Sequence, residues 1–221
     1  MVRDGFYYGA ALAATGALVS YLSQPWFGLP LFILAAFCLY FFRDPERQIP
    51  GGPVAVAPAD GKVVAVRPEG VSGQRVSIFL NIFDVHVNRT PIGGTIIRVQ
   101  YQKGRFLVAS KELASIANEQ NTVEVEGNGT RVVFKQIAGL IARRIVCNKK
   151  PGDKVLTGER IGLIKFGSRV DVVFGPEWDL LVHEGMRVVA GSTVLARRND
   201  VERTGDLSTQ VSTLEPVACR G

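Results

Sequence analysis

The sequence predicts a mainly β protein, a flattened sandwich or barrel with one short helix, preceded by an N-terminal transmembrane helical hairpin. Two observations carry this. Residues Phe6–Phe42 hold no charged side chain over 37 positions, more than a signal-peptide core needs and enough for two short spans. From Val54 onward the chain runs in short β-branched segments separated by Gly, Asn and Asp, the pattern of strands and tight turns.

The first span is expected over Phe6–Leu22 and the second over Trp26–Phe42, with Gln24-Pro25 between them. Gly9, Ala10, Ala11, Ala13, Ala14 and Gly16 would let the helices approach closely. Trp26, Tyr7, Tyr8 and Tyr40 suit an interfacial belt, and Arg3, Arg43 and Arg47 put both ends on the cytoplasmic side. The expected location is therefore the inner membrane, with the following domain in the cytoplasm. Residues 1–49 form this hairpin and a charged Pro/Gly linker, residues 50–199 a β-rich domain, and residues 200–221 a polar tail without periodicity.

Within the β-rich part, Val54–Ala57 and Lys62–Val66 flank Asp60-Gly61 as a hairpin-like turn. Strands are expected at Arg75–Ile82 and Thr95–Tyr101, and the short helix at Lys111–Gln120. Thr122–Glu126 and Thr130–Gln136 alternate around Gly127-Asn128-Gly129 as a clear hairpin. Ala142–Cys147, Arg160–Phe174 and Gly185–Ala196 continue in the same style. A pattern repeats there: Gly152-Asp153-Lys154-Val155-Leu156-Thr157-Gly158-Glu159-Arg160-Ile161-Gly162 is echoed by Gly185-Met186-Arg187-Val188-Val189-Ala190-Gly191-Ser192-Thr193-Val194-Leu195. This resembles the half-motifs of biotinyl/lipoyl-type domains, whose paired glycine turns close a flattened barrel.

Composition narrows function. The net charge of +6 fits nucleic acid or an anionic membrane surface equally. No basic run interleaved with aromatics is present and the aromatics gather at the N-terminus, so a membrane and not nucleic acid is the expected partner. Cys38, Cys147 and Cys219 show no paired spacing and imply no disulfide framework. Two histidines, His86 and His183, are too few for an ordinary catalytic zinc site, and no metal is expected.

The stretch Ile164-Lys165-Phe166-Gly167-Ser168-Arg169-Val170-Asp171 is a strand interrupted by Gly-Ser. Glycine inside a strand marks a bulge or a close backbone approach. It also suits internal cleavage: a serine hydroxyl attacks the preceding carbonyl, the ester eliminates, and hydrolysis leaves a pyruvoyl group. Three further motifs precede it: Phe41-Phe42-Arg43-Asp44-Pro45-Glu46-Arg47, Ala57-Pro58-Ala59-Asp60-Gly61 and Phe83-Asp84-Val85-His86-Val87-Asn88-Arg89-Thr90-Pro91. Together, and in this order, the four resemble the phosphatidylserine decarboxylase family in its short, archaeal-type, pyruvoyl-dependent form, from about Phe41 to about Ala196.

The resemblance implies cleavage between Gly167 and Ser168, with Ser168 becoming the pyruvoyl cofactor, an electron sink of the kind pyridoxal phosphate provides elsewhere. The enzyme would then be a complex of its own two pieces, 1–167 and 168–221, acting on a membrane phospholipid; a homo-oligomer stays open. His86, which by pattern alone is a half-buried strand residue, becomes the general acid/base. Asp60, by composition a turn residue, becomes the group that orients it. Longer family members carry a second histidine where Arg89 stands, so His86 serves both steps or another base exists. Arg89, Arg143, Arg144 and Arg169 are candidates for the substrate's anionic groups, and Phe166 for an apolar wall beside the reacting carboxylate. His183 reads as a turn residue. The rival reading is a membrane-anchored lipoyl-like scaffold without catalysis.

Overall fold

The computed structural model describes residues 2–105, 117–139, 144–165 and 167–199. Two antiparallel helices open the chain, α1 (Arg3–Leu22) and α2 (Pro25–Phe41). Their contact is close because glycines meet there: a Cβ at Gly28 would overlap the carbonyl of Gly16, and one at Gly9 would lie 2.8 Å from Leu39. The expected close approach is thus present. The transmembrane assignment is corrected: no described helix is long and apolar enough to cross a membrane. At about 1.5 Å per residue, the 17 residues of α2 fall short of a bilayer core, and α1 begins with Arg3 and Asp4.

The described strands that follow are β1 (Val54–Val56), β2 (Gly61–Glu69), β3 (Gly73–Leu80), β4 (Val87–Arg89), β5 (Gly94–Gln102), β6 (Gln120–Gly127), β7 (Thr130–Ala138), β8 (Ile145–Cys147), β9 (Lys154–Val155), β10 (Arg160–Ile164), β11 (Ser168–Phe174), β12 (Trp178–Leu180), β13 (Arg187–Val188) and β14 (Val194–Arg198). Eight form a curled sheet in the order β13-β2-β3-β11-β7-β6-β5-β9. Two three-stranded sheets, β1-β14-β12 and β4-β10-β8, complete the fold. The core lies between these layers. Val76, Ile78, Val132, Phe134, Val170, Val172 and Phe174 of the large sheet meet Ala55, Ile161, Ile164, Trp178 and Leu195 of the small ones. The rings of Phe174 and Trp178 pack at 5.7 Å, tilted by 53°.

The repeat has a structural meaning. The two copies place β9 and β13 at opposite edges of the large sheet, and each is followed by the central strand of a small sheet, β10 or β14. Gly158 and Gly191, equivalent in the two copies, both pack against Ile49. Ala57-Pro58-Ala59-Asp60-Gly61 and Thr90-Pro91-Ile92-Gly93-Gly94 are matched as well. At Gly61 and Gly94 the neighbouring strand comes so near that a Cβ would collide with the carbonyl of Phe79 or Glu126, which is why glycine opens both β2 and β5.

Three expectations change. Val54–Ala57 and Lys62–Val66 form no hairpin, since β1 pairs with β14 while β2 pairs with β3 and β13. The single long strand Arg160–Phe174 is two strands in different sheets, β10 and β11, joined at residues 165–167. The short helix falls mostly on residues 111–116, outside the described residues, and its expected end, Gln120, opens β6. The hairpin around Gly127-Asn128-Gly129 is present in full register as β6 and β7.

Candidate active site

Ser168 is the first residue of β11, opposite Leu80 of β3 and Ala138 of β7. Its side chain shares the inward face with Val170 and Val172 and is fully buried. Its Oγ has no hydrogen-bond partner among the described residues. A buried hydroxyl left unpaired costs about 1–3 kcal/mol, so it marks a group held for chemistry or strain. Gly167 before it has φ +54 and open space where a Cβ would go. Glycine is needed there for the left-handed backbone, not for room. The residue held in the left-handed region is thus the one whose carbonyl the hydroxyl would attack.

His86 lies in the segment leading into β4 and is 2% exposed. Its Nδ1 is 2.9 Å from the carbonyl of Asp84. A carbonyl only accepts, so Nδ1 carries the proton and Nε2 presents a lone pair. That Nε2 is buried and has no hydrogen-bond partner among the described residues. Burial lowers the imidazole pKa from 6.5 to about 4; the charge of Arg43 pushes the same way, and Asp84 opposes through its backbone hydrogen bond and its charge. The ring is therefore neutral at neutral pH and able to accept a proton. The backbone carbonyl of His86 accepts from the N–H of Ile164 at 3.3 Å, which ties this turn to the segment just before Gly167. No hydrogen bond joins His86 to Ser168 directly, since Nε2 and Oγ are both unpaired.

Asp60 does not orient this ring. Its carboxylate accepts from Arg47 at 2.8 and 3.1 Å and from the N–H of Ala190 at 2.8 Å. The expected relay of Asp60, His86 and Ser168 is replaced at its first step by the Asp84 carbonyl. The arginines also resolve. Arg89 is 5% exposed and donates to Gly158 O at 2.9 Å, Pro45 O at 3.3 Å and Asp44 at 3.3 Å. It clamps the linker and is not open to a substrate. Arg169 is fully buried, 2.6 Å from Asp171 and 2.7 Å from Ser77 Oγ, in the interior instead of a substrate pocket. Arg144 is exposed, and its carbonyl accepts from the N–H of Lys165 at 3.2 Å. Arg143 and Phe166 lie outside the described residues. His183 is exposed beside a turn, as its sequence context suggested.

A profile of the family described as "Phosphatidylserine decarboxylase" matches residues 34–196. The phosphatidylserine decarboxylase proenzyme of Solibacter usitatus is 66% identical over 200 residues, covering 90% of this chain and 98% of that protein. The chain belongs to the phosphatidylserine decarboxylase family. Proteins of the same name from Rickettsia felis and Magnetococcus marinus are 44% and 43% identical, each matching 88% or more of both chains.

The family's Arg-Asp-Pro-Glu-Arg stretch now has a physical role. Asp44 pairs with Arg89 and Arg160, Glu46 with Arg160, and Arg47 with Asp60, so the linker is pinned along its length to the β domain. Sequence reasoning missed a string of buried amides on the same inward face as Ser168. Asn121 donates to Gln136 at 3.0 Å, and Gln136 donates to Asn88 at 2.9 Å, joining the large sheet to β4 two residues after His86. Asn118 donates to the carbonyl of Ala138, the strand partner of Ser168, at 2.7 Å. The signal was present: Gln136 interrupts the inward series Val132, Phe134, Ala138, where an apolar residue is expected. Phe41, whose ring lies 4.3 Å from that of His86, was read as part of the hairpin and of the first motif but given no role at the site.

Proposed function

We propose that this chain is the precursor of a phosphatidylserine decarboxylase, which cuts itself between Gly167 and Ser168 and then converts phosphatidylserine to phosphatidylethanolamine and carbon dioxide. One observation carries the processing step. A buried, unpaired Ser168 Oγ follows a left-handed Gly167, and a buried neutral imidazole with a vacant Nε2 lies on the adjoining turn. His86 Nε2 takes the hydroxyl proton as Oγ attacks the Gly167 carbonyl carbon. The amide C–N bond breaks, the nitrogen takes up the proton, and an ester links the two residues. Loss of the Ser168 α-proton expels the Gly167 carboxylate and leaves dehydroalanine. Tautomerisation to the imine and attack by water release ammonia and leave the pyruvoyl group. The residues fit that group: Ser168 starts an interior strand, and its surroundings are apolar apart from the amide string.

Once formed, the group supplies a carbonyl electron sink for loss of the substrate's carboxylate. The buried apolar setting favours that loss, because a carboxylate gives up its charge as carbon dioxide leaves. We place the β domain on the cytoplasmic face of the cell membrane with the hairpin embedded in it but not crossing. What supports this is the outward array of Phe6, Tyr21, Trp26, Phe27 and Ile33, each at least 60% exposed, on helices whose base carries Arg3 and Arg43. Exposed apolar surface of that extent marks an interaction site.

The deciding experiment is intact mass of purified protein. Two polypeptides, of 167 residues and of 54 (221 − 167), are expected, the smaller with a blocked N-terminus, while Ser168→Ala stays whole. A wild-type chain that remains single in preparations that decarboxylate would overturn the pyruvoyl reading. Retention on membranes through a high-salt wash is expected of the embedded hairpin, since salt removes only surface electrostatic binding.

A further inference from the structure

Phe41 ends α2 and is 1% exposed, although it belongs to a hairpin whose other aromatic side chains largely face outward. Its ring covers that of His86 at 4.3 Å and 36° between planes. Phe42 packs edge-on against it at 5.0 Å, and Leu163, Val146, Ile82 and Phe37 complete a separate small core there. The hairpin base is locked in this position by directed contacts. Arg43 Nη2 donates to the carbonyl of Phe83 at 2.7 Å, the N–H of Val2 to the carbonyl of Phe42 at 3.0 Å, and Lys165 Nζ to Asp4 at 2.8 Å. Phe83 is three residues before His86, and Lys165 two before Gly167. The hairpin therefore grips the turn that carries the base and the segment just before the scissile bond, and Phe41 is the side chain it sets on the base.

We propose that Phe41 is a positioning residue for His86: its ring seals one face of the imidazole from water and holds Nε2 in the orientation and protonation state that self-cleavage needs. This rests on His86 being the base, as argued above. The chemistry is that of an aromatic lid. A ring at this distance fills the volume water would take, and removing water penalises the imidazolium. The charged groups around His86 oppose one another. Asp84 favours the cation and Arg43 disfavours it; Arg187 is engaged with Asp84, and Lys165 with Asp4. Burial is the largest influence on the ring and outweighs the opposing pull of Asp84, so the apolar cover decides the outcome. A hairpin that served only as an anchor would give Phe41 no influence over the titration of His86.

The test follows cleavage of precursor made by cell-free synthesis with liposomes of phosphatidylglycerol and phosphatidylcholine, chased at about pH 8 and at about pH 5.5. For the wild-type chain, whose imidazole titrates at about 4, the two rates should agree within about twofold. With Phe41→Ala the imidazole should return toward 6.5, making cleavage about tenfold slower at the lower pH. Phe41→Leu keeps the apolar cover and should keep the flat profile. The titration is also read directly by proton NMR of the His86 ring in detergent-solubilised Ser168→Ala/His183→Gln protein, which carries one imidazole. Addition of Phe41→Ala should raise that ring's pKa. A Phe41→Ala chain with a flat profile and an unmoved imidazole, while His86→Ala blocks cleavage, overturns the role of Phe41 alone. Normal cleavage in His86→Ala overturns the base assignment, and the role of Phe41 with it.

Discussion

Removing the carboxylate of Asp171 is the perturbation that best separates interior architecture from substrate binding. Arg169 ranks first among the fully buried side chains by volume. Its Nε lies 2.6 Å from Asp171 Oδ1, and Arg75 Nη1 lies 3.4 Å from Oδ2. Asp171→Ala would leave a guanidinium with no exposure facing another cation. Breaking a buried pair in this way costs about 3–5 kcal/mol, a large share of the ~5–15 kcal/mol that holds a domain together. The double variant Arg169→Met/Asp171→Val removes both charges at similar volume. It should be less destabilised than Asp171→Ala, because Arg75 retains Glu69 at 3.3 Å and an apolar pair replaces an ionic one. The assay is urea unfolding of the detergent-solubilised Ser168→Ala precursor, where one chain gives one transition. A loss below about 1 kcal/mol for Asp171→Ala, with an Arg169→Met enzyme that folds normally and binds phosphatidylserine weakly, would refute the structural reading and return Arg169 to the substrate site.

Three other outcomes are expected. The His86 pKa is lower folded, about 4, than its ordinary 6.5, so the unfolded chain takes up the proton first. Stability is full above about pH 6.5 and falls by about 3 kcal/mol as pH drops to about 4, and His86→Gln in the Ser168→Ala background should flatten that slope in urea titrations. Asp60 reaches the site through Arg47, which pins the linker beneath Phe41 and Arg43. Arg47→Ala should therefore slow cleavage about as much as Asp60→Asn, the double variant being no worse than either; normal cleavage in Arg47→Ala would mean that Asp60 acts on the imidazole itself. At Gly167 the constraint is φ +54 with no crowding. Gel-followed cleavage should therefore rank Gly, then Asn, then Ala, then Val, following tolerance of the left-handed region.

What the sequence made legible was whatever is local or repeated. The alternation from Thr122 to Gln136 named its hairpin, and the glycine echo marked the two halves of the β domain. Ser168 and His86 were visible through their motifs. Long-range pairing was not. Val54–Val56 finds Val194–Arg197 across most of the domain, and no local signal distinguishes that from a hairpin with β2. The break at residues 165–167 looked like a bulge in one strand because both flanks are apolar and β-branched. Charge misled in the same way: Arg89 and Arg169 read as candidates for the substrate's anionic groups, since their partners Asp44 and Asp171 become meaningful only when the linker and the sheet are in place. The hairpin's length was read as two spans, when 17 residues of α2 and the charges opening α1 do not reach that far.

The place of the cut within the strand order carries one more consequence. The residues after Gly167 begin in the middle of the large sheet, with β3 on one side and β7 on the other, and end with β13 on β2 and β14 on β1. Every one of those neighbours precedes the cut, and no strand is interrupted by it, because β10 and β11 already belong to different layers. The smaller piece is threaded through the larger one and cannot leave without unfolding its host. Separated pieces should thus fail to recombine into active enzyme, and a mature preparation should keep its activity on extreme dilution. The proposed ketone would sit at the end of an interior strand, paired on both sides with Leu80 and Ala138. Its orientation toward the substrate is then set by the sheet's own ladder and not by a tether.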